Sequence, residues 1–190
     1  MPKWACNLCY TRKENMLLTP TLGVPSDLLL KLEREAYRAF HASHPTHTAD
    51  HLYNFCVTAL AVRDWLFVQL AWSNNQKQSF YNMWRGQPLL DACADIANAS
   101  KHCDLKKGAS PHIAKASTQK VVEVYLDTSS NLHTVLNPEH PDISVTLDSG
   151  RTVGVHEMTQ EVLRFWRNFF KGKNINIPSQ DFETLSGLSD

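Results

Sequence analysis

Between Ala49 and Trp72 neither proline nor glycine interrupts the chain, and Leu52, Phe55, Cys56, Ala59, Val62, Leu66 and Leu70 recur at helical spacing. Side chains at such intervals share one face of a helix. An apolar face of that length has to be covered by other elements, because leaving it in water forfeits the main driving force of folding. The segment is therefore expected as the central helix of a bundle.

The flanking sequence supplies partners for it. Ser26 is expected as the N-cap of a preceding helix, whose apolar residues Leu29, Leu32, Ala36 and Phe40 run on until Pro45 forbids continuation. HASHPTHTADH then forms a histidine-rich connection carrying His41, His44, His47 and His51. After Asn74 and Asn75, a shorter helix is predicted from Gln76 to Trp84 and is closed by Gly86, and Pro88 suits the first turn of a fourth. Four helices with short connections predict an antiparallel four-helix bundle over residues 26–105, after an irregular segment at 1–25.

Beyond the bundle the pattern changes. Residues 101–120 hold five lysines and one aspartate, and 106–120 reads as a basic loop. VVEVYLD, ISVTLD and RTVGVHE alternate and are β-branched, with Asp148, Ser149 and Gly150 as a turn between the last two. A final helix carries Met158, Val162, Phe165, Trp166 and Phe169 on one face and stops at Gly172, its aromatic residues reading as packing. Residues 121–172 thus form a small antiparallel β-hairpin or sheet plus a helix packed on the bundle, and 173–190 a loosely held tail. The fold class is mainly α, α+β overall.

Charge narrows the choice of partners. Nineteen basic and nineteen acidic residues cancel, so any attraction to nucleic acid must be local. No apolar run is long enough to cross a membrane, and MPKWACNLCYTRKEN lacks the apolar stretch of a signal peptide. Five cysteines, an odd number, point to reduced thiols and a cytoplasmic protein. Cys6 and Cys9 could join two of the clustered histidines on zinc, but a lone CxxC beside a histidine-rich turn is ordinary sequence, and no metal or cofactor is expected. There is no GxSxG and no glycine-rich phosphate loop.

The most distinctive polar feature is DACADIANASKH, residues 91–102, in which Asp91, Asp95, Asn98 and His102 fall within a narrow arc of one helical face. Such a stripe of short side chains is a site, a buried polar network or a solvated face. ANASKH at the end of the last bundle helix resembles the C-terminal signature of the HEPN superfamily (higher eukaryotes and prokaryotes nucleotide-binding), an Arg followed by a polar residue and then, a turn later, a His. Asn98 and His102 match the polar residue and the His; Ala97 stands where the signature has its Arg.

The resemblance implies an RNA-binding protein or a degenerate ribonuclease of a toxin or defence system. His102 would be acid or base, Asn98 the orienting residue, and Asp91 or Asp95 polar support, with Arg63, Arg85 or Lys101 replacing the missing cation. It also implies a homodimer whose interface includes the helix from Asp91 to His102. Lys106, Lys107, Lys115 and Lys120 would then hold RNA phosphates. The alternative is a non-catalytic dimeric protein-interaction module on the same scaffold, its partner another protein.

Overall fold

A computed structural model describes residues 21–102, 113–126 and 132–178 of the chain. It is mainly helical with one three-stranded antiparallel sheet: α1 (Pro25–His41), α2 (Pro45–Gln69), α3 (Asn74–Trp84), α4 (Pro88–His102), β1 (Ile113–Leu126), β2 (Leu132–Leu147), β3 (Thr152–Gly154) and α5 (Val155–Gly172). The expected α+β class is what the structure shows. No helix among the described residues is long and apolar enough to cross a membrane.

The helix starts follow local chemistry. Pro25 and Pro45 open α1 and α2, where their fixed φ fits and the missing N–H would have had no partner. The cap of α1 is not Ser26, which lies inside the helix and is buried; Asp27 turns back instead, its Oδ2 accepting from the N–H groups of Gly23 at 2.7 Å and Val24 at 3.0 Å. His44 caps α2 through Nδ1, which accepts from the Thr46 N–H at 3.2 Å. α2 therefore starts at Pro45, earlier than the expected Ala49, and takes in His47 as well as His51. Ser73 and Gln76 form a reciprocal capping box on α3.

The apolar stripe of α2 is buried as its spacing requires: Phe55, Cys56, Ala59 and Val62 are wholly inaccessible. α1 packs along α2, and α4 and α5 complete the enclosure, α5 touching α1, α2, α4 and the sheet. The last helix is thus part of the bundle wall as well as the cover of the sheet. Its Trp166 and Phe170 are fully buried. Short α3 contributes Phe80 and Trp84, and Phe80 stands 5.3 Å from Phe169 and 6.0 Å from Trp166 between ring centres.

β1 and β2 pair antiparallel along their length and β3 adds to β2, with Gly150 (φ 83°) in the turn expected before it. Residues 113–120, expected in the basic loop, form the first part of β1; the β-branched and polar residues there complete a ladder with 141–147 that local composition could not announce. Ile143, Val145, Leu147 and Val153 turn into the common core. Of the expected loose tail, 173–178 are described, and Ile175 and Ile177 pack against the core. Residues 1–20, with Cys6 and Cys9, and 179–190 lie outside the described residues.

Candidate functional site

The polar stripe of α4 changes character along the helix. Asp91 is buried, Asp95 half-buried and Asn98 exposed, because α4 enters the core at its N-terminal end, where Leu89, Leu90, Ala92 and Cys93 are enclosed. His102 is the last residue of α4, and its side chain lies outside the described residues. Ala97, at the position of the signature's Arg, is buried in the core. Among the substitute cations, Arg63 is engaged elsewhere: its Nε lies 2.9 Å from Asp64 Oδ1, and its guanidinium covers the rings of Trp84 and Tyr81 at 5.5 and 5.6 Å. Arg85 is exposed at the end of α3. Of the lysines, Lys115 is exposed on β1, Lys120 lies further along the same strand, and Lys106 and Lys107 fall outside the described residues.

A second cluster joins α1 to α2. Glu35, whose side chain is only 6% exposed, accepts from Lys31 Nζ at 3.1 Å and Arg38 Nη1 at 3.2 Å on one oxygen, and its other oxygen lies 3.0 Å from His51 Nδ1. Lys31 Nζ also donates to Thr58 Oγ1 at 3.0 Å. Burial pushes the Glu35 carboxyl upward, but the His51 hydrogen bond and the Lys31 and Arg38 charges outweigh it and hold the group below the ordinary glutamate range. A parallel tie links α1 to α5, where Arg167 Nε donates to buried Glu33 Oε1 at 2.8 Å. Both arrangements consume their charges internally, which is the behaviour of helix-positioning networks. Among the described residues no group of three or more His, Cys, Asp or Glu is placed to hold a metal ion.

Among the described residues a groove of about 600 Å³ opens between the α3–α4 corner and α5. Met83, Gln87, Leu89 and Leu90 form one wall. The other is α5, where Val162, Phe165, Phe169 and Gly172 succeed one another at helical spacing, from buried Val162 to the exposed end of the helix. Phe165 and Phe169 are only half-buried, and Met83 is 41% exposed, so apolar surface faces the opening. Glu161 and Arg164 lie at one end and Lys173 at the other, about 18 Å along the helix axis from Glu161.

The two ends differ electrostatically. Glu161 Oε1 is 3.1 Å from Arg151 Nη2 and 4.0 Å from Arg164 Nη2, so its charge is answered within the chain. Lys173 has no carboxylate partner among the described residues; its Nζ lies over the rings of Trp72 at 5.4 Å and Phe169 at 5.8 Å. The spacing that marked Val162, Phe165 and Phe169 as packing residues touched this groove, as did Pro88 and Gly172 at the helix ends. What it could not reveal is that the short α3 leaves the outer edges of Phe165 and Phe169 uncovered.

Comparison of the chain with protein-family models, curated proteins and solved structures finds no match.

Proposed function

We propose that this chain is a non-catalytic binding module whose ligand seat is the groove between the α3–α4 corner and α5. The observation that carries this reading is the groove itself: about 600 Å³, with apolar surface from Phe165, Phe169 and Met83 along its walls, Gln87 and Asn168 as polar groups among them, and charged groups at its ends. That volume and that division of character are those of seats for small organic molecules, in which apolar contact supplies affinity and a few polar groups fix orientation. The two internal charge networks hold α1, α2 and α5 in place, which fixes the α5 wall of the groove.

The test uses N-phenyl-1-naphthylamine, a neutral apolar fluorophore, and the variant Gly172→Phe. A Cβ placed on Gly172 meets nothing within 4 Å, so the backbone there has room for a side chain, and a phenylalanine adds bulk to the groove lining. Wild type is expected to enhance and blue-shift the fluorescence, and Gly172→Phe to lose that signal while melting at the same temperature. Absence of enhancement with wild type, or an undiminished signal with the variant, overturns the reading.

A further inference from the structure

We propose that the groove takes an anionic amphiphile, its apolar chain along Phe165, Phe169 and Met83 and its carboxylate at Lys173; this rests on the groove being the ligand seat. The assignment follows from the unequal ends. A cationic head at the Glu161 end would compete with Arg151 and Arg164, which already lie against that carboxylate. A neutral chain would use the walls and leave the ammonium of Lys173 without a counterion. An anionic head uses both.

The position of Lys173 is prepared for this. It is the C-cap of α5, and its backbone N–H bonds to the carbonyls of Phe169 at 3.0 Å and Phe170 at 3.1 Å. Asn174 and Ile175 follow by donating to Lys171 and Phe170, so the carbonyls of Phe169, Phe170 and Lys171 are all engaged within the chain. Its side chain is steadied on two aromatic faces, one of which, Phe169, is also a groove wall. A long side chain held in place beforehand loses less entropy when it binds, and a charge-assisted contact at an apolar edge is stronger than one in open water.

The experiment titrates the whole chain by calorimetry with dodecanoate, dodecanol and dodecyltrimethylammonium, each below its micellar concentration. Dodecanoate is expected to bind about tenfold or more tightly than the other two, and Lys173→Gln to remove that preference. Equal binding of the three, or a preference that survives in Lys173→Gln, overturns the head-group assignment and leaves the groove reading standing. If none of the three binds, or dodecanoate binds Gly172→Phe as it binds wild type, the groove reading falls and the assignment with it.

Discussion

Glu35 on α1 and His51 on α2, sixteen positions apart, meet through a 3.0 Å contact between Oε2 and Nδ1. Around that contact Lys31 and Arg38 complete the shell of a carboxylate that is almost wholly enclosed. A charge so buried is tolerable only because its partners answer it, and the pairing fixes how α1 lies along α2.

The acid response follows from it. Because the folded state holds Glu35 below its ordinary value of about 4.3, the folded chain binds fewer protons than the unfolded one in the window just beneath that value. This contribution to stability is full above the unfolded value and disappears as pH falls through the depressed one. Urea melts from pH 7 down to pH 3 are expected to show wild type losing stability more steeply than Glu35→Gln, which should itself be weaker by about 1–3 kcal/mol at pH 7. Identical acid slopes would show that Glu35 is not the titrating group.

Glu33 and Arg167 provide the corresponding test at the α1–α5 seam. Arg167→Ala leaves a carboxylate that is 4% exposed without its 2.8 Å donor and is expected to cost about 1–3 kcal/mol. Adding Glu33→Gln removes the stranded charge, so the double variant should recover part of the loss. Additive losses in thermal or urea unfolding would mean that the two side chains do not interact.

For the apolar stripe of α2, Phe55 is the decisive position. It has no accessible surface, and Phe55→Ala should cost about 3–5 kcal/mol in urea unfolding. A loss under about 1 kcal/mol would place that face of α2 in solvent.

Cys56 and Cys93 face each other across α2 and α4 with no solvent exposure. Burial raises the Cys56 thiol well above its ordinary value, and the neighbouring Cys93 adds to the effect. Mass-spectrometric mapping after iodoacetamide treatment at pH 8 should find both unmodified in the folded protein and both alkylated in urea. Modification under native conditions would require α2 and α4 to separate readily.

The ribonuclease reading of the α4 stripe has its own assay. Wild type and His102→Ala are both expected to leave mixed RNA intact, since Ala97 places core packing where the resemblance calls for a guanidinium. Cleavage by wild type that the variant loses would restore a catalytic role to His102 and Asn98.

What the residues determined alone was the local order of the molecule. Helical spacing located α2 and its buried face, Pro88 opened α4, and the turn at Asp148, Ser149 and Gly150 separated β2 from β3, because each depends on neighbours within a few positions along the chain. Tertiary structure decided what those elements serve. Of the histidines read as one connection, His44 caps α2 and His51 bonds Glu35, since the distance from 35 to 51 closes only when α1 and α2 pack. Residues 113–120 became strand because a distant segment, 141–147, lay ready to pair with them. Phe165 and Phe169 carry the periodicity of core residues on α5, and nothing in that spacing tells how far a neighbouring helix reaches. α3 ends at Trp84, the chain turns into α4, and the uncovered edges of those rings become the walls of a groove. Coverage is a property of the assembled surface, set by the lengths and placement of all its elements together, and no local pattern carries it.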